Sequence, residues 1–169
     1  TRDAQDQWRR HPDNAKPDAW RDLVAEMEAA VAIADRHDIE LGIEPELANV
    51  VCNARAARRL LDELASPRLR IVLDPANLFD AADAGARRRL AEEAVDLLSD
   101  SLVMAHAKDR DARGKVVAAG QGVIDFRHFV GRLRAVGFAG PLVTHGLTAA
   151  EAPGVASFLS AILAEGRGT

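Results

Sequence analysis

Apolar residues recur along the chain in two alternating rhythms. Between Pro17 and His37, positions Leu23, Met27, Ala30, Val31 and Ala34 fall at helical spacing, which predicts a helix entered through an Asp18 cap. Beyond it, residues 40–44, 69–74, 102–106 and 141–145 are short runs rich in branched side chains, as strands are. The helical spacing returns after each run. It is carried by Ala57, Leu60, Leu61 and Leu64, then by Leu90, Ala94, Leu97 and Leu98. Phe126, Phe129, Val130, Leu133 and Val136 follow behind an Asp125 cap, and Val155, Phe158, Leu159 and Ile162 close the series. Strand and helix take turns, so the fold class is α/β, with parallel strands joined by helical crossovers in a doubly wound open sheet or a barrel. Residues 1–17 are polar and aperiodic and read as a connecting loop with Trp8 as an anchor. This leaves 18–165 as one helix plus four βα units in a single domain.

Strand phase adds chemistry to this pattern. With a period of two, Gly42 and Glu44 share a face, as do Val72 and Asp74, Met104 and His106, and Val143 and His145; Ile43, Leu73 and Ala105 point the other way. Each strand therefore ends in one polar group on the same face. Glu44, Asp74, His106 and His145 are spaced by 30, 32 and 39 residues, one βα unit apart. If the strands curve about a common axis, the four side chains meet at the mouth, where barrel enzymes carry their sites. A lone strand-end acid or histidine is usually a loop cap or a solvated group, but four in register point to a divalent cation. Oxygen and nitrogen ligands without thiolate suit Mn²⁺, Mg²⁺, Co²⁺ or Zn²⁺ alike. The reading requires the four tips to converge, because groups more than about 8 Å apart cannot share an ion at bond lengths near 2 Å.

Composition narrows the partners. Lys and Arg number 22 against 26 Asp and Glu, and aromatics make up 4%, so the chain lacks the basic footprint of a nucleic-acid binder. The single Cys52 excludes an internal disulfide and a Cys-based zinc cluster, and reads as a small buried hydrophobe in a reducing compartment. No apolar run reaches membrane-span length and no signal pattern opens the chain, so a cytoplasmic location without a membrane partner is expected. At 169 residues the chain is shorter than the roughly 250 of a complete eight-stranded barrel, and it opens on Thr1 rather than methionine; a missing upstream part is expected.

Four motifs in order, Gly42-Ile-Glu-Pro-Glu46 with Asn49-Val-Val, Val72-Leu-Asp-Pro-Ala-Asn77, Ala105-His-Ala-Lys-Asp109 and Gly120-Gln-Gly-Val-Ile-Asp-Phe126, resemble the xylose isomerase-like sugar phosphate isomerase/epimerase superfamily from about Trp20 to Leu163. The resemblance implies a TIM-type (β/α) barrel of which this chain holds about the last four βα units. It also implies Glu44, Asp74 and His106 as metal ligands on the fifth, sixth and seventh strands, with Asp109 and Lys108 or Arg110 on the substrate. The implied reaction is isomerisation or epimerisation of a sugar, sugar phosphate or related polyol or keto acid. A metal polarises the carbonyl while two carboxylates exchange protons on opposite faces of an enediolate intermediate. The chain departs from the pattern twice: Asn77 stands where many members carry a histidine, and Thr144-His145-Gly146 where many carry a glutamate. Glu44 is then ligand or base, and His145 a neutral ligand or the second acid/base group.

Other positions carry weaker signals. Glu46 is a substrate contact or, more plainly, a loop acid; Asn49 and Asn77 either donate to substrate oxygens or satisfy turns. Lys108 reaches an anionic group or is solvated within a charged run. Gly120-Gln-Gly122 is a flap or a turn, and His11, His37 and His128 are surface residues. Two other functions stay open: a metal-dependent dehydratase or hydrolase on the same scaffold, and a non-catalytic half-barrel that binds another copy or a missing half through its open edges. An apurinic-site endonuclease would need further ligands and a basic groove.

Overall fold

The structure is a computed structural model and describes residues 1–80 and 83–165. The first helix, α1 (Pro17–His37), starts at Pro17, whose missing N–H costs nothing in the first turn. Lys16 occupies the cap without a side-chain bond, so the expected Asp18 cap is corrected: Asp18 lies inside the first turn, where its carboxylate favours the positive helix end. Strand β1 (Leu41–Ile43) follows, then α2 (Ala54–Leu64), capped by Asn53 accepting from the Ala56 N–H. Strand β2 (Leu69–Leu73) and α3 (Ala84–Leu98) come next, with α3 capped by Asp83. Strand β3 (Leu102–Arg110) runs four residues beyond the expected end at His106 and folds back on a short antiparallel strand, β4 (Val116–Ala118). Helix α4 (Phe126–Ala135) follows its Asp125 cap, and β5 (Leu142–Thr144) and α5 (Ala152–Ala164) complete the chain.

β1, β2, β3 and β5 are parallel, with β2 between β1 and β3, and β5 on the other edge of β3. Among the described residues the sheet does not close, and the architecture is that of a TIM-barrel-like half-barrel. Its outer face carries the core. Leu69, Ile71 and Leu73 of β2, and Ala105 and Ala107 of β3, are buried beneath Ala57, Leu60, Ala94, Val95, Leu98 and Phe129 of the helices. Each fully buried Leu, Ile or Phe side chain contributes about 1.5–3 kcal/mol. The inner face is half-open, and Val143 there is an exposed hydrophobic residue.

Trp20 of α1 is buried, donates its indole N–H to Glu63 Oε2 at 2.8 Å and is covered by the Arg59 guanidinium 3.9 Å from the ring. Trp8 is 69% exposed and anchors nothing, contrary to the sequence expectation. Polar ties hold the opening segment instead: Arg2 to Asp22, Arg10 to Asp80, and Asn14 Nδ2 donating to the Ala48 carbonyl. His11 caps a 3₁₀ turn at Pro12–Ala15. Cys52 is half-buried and free. Among the described residues no helix is long and apolar enough to cross a membrane.

Candidate metal centre

Backbone register explains how the strand-end groups meet. Leu73 pairs with Ala105, so Asp74, just past the end of β2, lies beside His106 in the middle of β3; His106 in turn pairs with Val143, two residues before His145. Glu44 follows the end of β1 and is stopped by Pro45, which has no N–H to continue a ladder. Asp74 caps a 3₁₀ turn at Pro75–Asn77, its Oδ1 accepting from the Ala76 N–H at 2.8 Å. That bond fixes the carboxylate and leaves Oδ2 facing the mouth.

One ligand atom from each of Glu44, Asp74, His106 and His145 lies within 4.8 Å of the other three. His145 Nε2 is 3.1 Å from Asp74 Oδ2, and His106 Nδ1 is 3.2 Å from Glu44 Oε1 and 3.9 Å from Asp74 Oδ2. The two imidazoles meet edge to face with centroids 4.5 Å apart. Donors about 2.0–2.2 Å from one ion span at most about 4.4 Å, so the cluster needs to contract by only tenths of an ångström. The residues thus fit a divalent ion in donor type and in spacing. Burial grades the four: the Asp74 side chain is wholly buried and His106 17% exposed, against 34% for Glu44 and 40% for His145. Burial pushes the Asp74 carboxyl up, but the bond from His145, the Lys108 ammonium and the Ala76 N–H outweigh it and hold the group below its ordinary range. Asp74 is therefore ionised.

The other expected site residues divide. Asn77 and Lys108 join the quartet. Asn77 Nδ2 donates to Glu44 Oε1 at 2.9 Å, and Lys108 Nζ donates to Asn77 Oδ1 at 2.8 Å and lies 3.0 Å from Asp74 Oδ2. Asn49 lines a hollow of about 220 Å³ beside Glu44, together with Thr1, Leu23 and Val50. Glu46 is folded onto its own turn, Oε2 accepting from the Ala48 N–H at 2.8 Å. Asp109, expected on the substrate, turns to the buried face of the strand. It is fully buried and accepts from the backbone N–H groups of Arg110, Gly120, Gly122 and Ile124 at 2.8–3.1 Å, filling the lone pairs of a carboxylate. Arg110 is likewise engaged, donating to the carbonyls of Ala76 and Gly114. The Gly120-Gln-Gly122 stretch is the loop that Asp109 clamps. The signal for this was the alternation itself: carried past His106, it places Lys108 on the inner face and Asp109 on the buried face with Ala105 and Ala107.

A family model described as a xylose isomerase-like TIM barrel matches residues 5–159. No curated protein matches the sequence significantly. Solved structures match the fold. D-allulose 3-epimerase from Methylomonas sp., in complex with D-allulose, superimposes with TM-score 0.68 at 19% identity, covering 84% of this chain and 47% of the other. A xylose isomerase domain protein from Planctomyces limnophilus gives 0.66 at 22%, covering 89% and 54%. The probable 3-DHS dehydratase AsbF from Bacillus anthracis gives 0.64 at 14%, covering 81% and 55%. The chain spans about half the length of these proteins.

Proposed function

The chain belongs to the xylose isomerase-like TIM barrel family, and from that premise we propose that it carries the catalytic mouth of a divalent-metal-dependent isomerase or epimerase. Its substrate is a sugar, sugar phosphate or related polyol or keto acid. The observation behind the reading is the convergence of Glu44, Asp74, His106 and His145 within 4.8 Å on or just past parallel strands that run side by side. These four residues would hold the ion. A bound divalent ion would supply Lewis-acid polarisation of a substrate carbonyl, making the adjacent C–H acidic enough for a side chain to remove its proton.

The chain's own residues then divide the work by burial. Asp74 and His106, the deeper pair, hold and do not exchange protons. Glu44 and His145 are the open pair and come from the two outer parallel strands, β1 and β5. Glu44 takes a proton from the carbon next to the carbonyl; His145 serves either as a neutral ligand, with Glu44 returning the proton, or, off the ion, as the second group that returns one, the pair then resetting by proton exchange with water. Asn77 fixes the Glu44 carboxylate oxygen that it donates to. A carbohydrate-like substrate is supported by the neighbouring fold that carries D-allulose.

The test is incubation of the protein with Mn²⁺ and a panel of ketohexoses and keto acids in D₂O. Isomeric product with deuterium at the carbon beside the carbonyl is expected; absence of exchange with every divalent ion tried sinks the proposal. A dehydratase is the second reading, favoured by the fold of the probable 3-DHS dehydratase and by His145 in place of a second carboxylate. Product mass separates the two, because an isomer keeps the substrate's mass and dehydration loses one water.

A further inference from the structure

Asp74 Oδ2 is already full. A carboxylate oxygen offers two lone pairs, and His145 Nε2 at 3.1 Å and Lys108 Nζ at 3.0 Å occupy both, while Oδ1 is held by the Ala76 N–H. Lys108 is an inside residue, its side chain 12% exposed. The bonds that place it are unambiguous. An ammonium only donates and a carboxylate only accepts, so the Asn77 amide must turn its oxygen to Lys108 and its NH₂ to Glu44, which is the orientation observed. Lys108 thus bears directly on one candidate ligand and, through Asn77, on a second. Its two partners, Asp74 and Asn77, in turn touch the rest of the quartet: Asp74 meets His145 and His106, and Asn77 donates to Glu44.

We propose that Lys108 is a placeholder cation: its ammonium balances Asp74 and, through Asn77, orders Glu44 when the centre is empty, and a divalent ion binds by displacing it from Asp74 Oδ2. The proposal rests on the metal reading above and deepens it by naming a residue that regulates occupancy. An ion and an ammonium of like sign cannot share one buried oxygen without strong repulsion, so Lys108 must leave Asp74. Asn77 Oδ1 keeps the displaced head group beside the centre. Metal affinity is then set in part by a charge that is not itself a ligand.

Calorimetric titration of the whole chain with Mn²⁺ alone, at neutral pH and without substrate, tests this. Lys108→Gln keeps a donor and removes the charge; it is expected to bind Mn²⁺ at least about tenfold tighter than wild type. Lys108→Arg keeps the charge and is expected to stay within about threefold. Thermal melts give a second readout. Lys108→Gln should melt below wild type in EDTA and recover in saturating Mn²⁺, including the case in which it folds only with the ion. A Lys108→Gln affinity equal to or weaker than wild type overturns the proposal. So does an equal loss of thermal stability with and without Mn²⁺, or failure to fold in both. Wild-type binding with an unimproved variant removes the placeholder and leaves the metal centre standing, whereas binding by neither protein removes both.

Discussion

Asp74 and Asp109 are both fully buried, and each lies near the end of a strand, yet their surroundings differ in kind. Asp109 accepts from four backbone N–H groups, three of them in the loop 120–124. Asp74 accepts from one backbone N–H, and its other oxygen meets the side chains of His145 and Lys108. Backbone donors cannot leave without redirecting the chain, so Asp109 is a fixed structural joint. Side-chain donors leave by rotating a few bonds, so the mouth-facing oxygen of Asp74 can exchange partners. Burial alone does not separate a structural acid from a chemical one; the type of donor does.

The sharpest way to break this contrast is to neutralise each acid in turn. Asp74→Asn should lower metal-dependent turnover by at least about a thousandfold, the equivalent of several kcal/mol of lost electrophilic stabilisation. Its urea midpoint should fall, because Lys108 loses its carboxylate partner, but by less than that of the Asp109 variant, since Lys108 and His145 can turn away from the new amide. Asp109→Asn should spare turnover per folded molecule and cost more stability. An NH₂ group aimed at backbone N–H groups leaves buried donors without acceptors, at about 1–3 kcal/mol each, for a total near 4 kcal/mol by urea denaturation. If the Asp74 variant were the less stable of the two, the distinction between exchangeable and fixed donors would be wrong.

Much of this was legible in the sequence, and the reasons are specific. The four residues of the quartet followed from period-two phase, because a parallel strand covered by helices on one face must put its polar groups on the other, although His106 lies inside its strand rather than at the end. The helices were equally plain, and the Asp125 cap was read correctly. What escaped was the second half of β3. Lys108, Asp109 and Arg110 form a charged run, and such runs ordinarily lie in solvent; here β4 pairs with those residues and turns the run into strand. Family resemblance placed Asp109 on the substrate, whereas the alternation through Ala105 and Ala107 places it in the core. Trp8 shows the opposite failure: a large apolar side chain suggested an anchor, but polar ties hold its segment.

The Asp109 joint can also be attacked from its far side. Gly122 donates to Asp109 Oδ2, and a Cβ at that position would lie 2.2 Å from the Arg110 carbonyl oxygen and 2.3 Å from Asp109 Oδ1. Neither atom can yield, one being backbone and the other part of a carboxylate pinned by four bonds. Gly122→Ala should therefore cost about 3 kcal/mol in urea denaturation, at the upper end for overpacking. Mn²⁺ affinity should stay near the wild-type value if the clamp and the mouth are separate devices.

The smallest expected effect lies at Asp125, which combines both kinds of donor in a more open place. Its Oδ1 accepts from the His128 N–H as the α4 cap, and its Oδ2 pairs with Arg88, the two side chains being 34% and 58% exposed. Partial burial raises the Asp125 carboxyl, but the His128 N–H and the Arg88 guanidinium outweigh it and leave the group below its ordinary range. A carboxyl depressed in the folded state stabilises above its unfolded pKa, near about 4, and loses that contribution as the pH falls through the folded value. Asp125→Ala should cost about 1 kcal/mol near neutral pH, the usual value of a cap. Asp125→Asn, which can still cap, should cost less than about 0.5 kcal/mol, and its difference from wild type should begin to shrink as the pH falls below about 4 and vanish only once the folded carboxyl is itself protonated. Water can replace either partner here, so the kind of donor that separates Asp74 from Asp109 decides little; a loss at Asp125 as large as that at Asp109 would show that burial is not what gives the comparison its force.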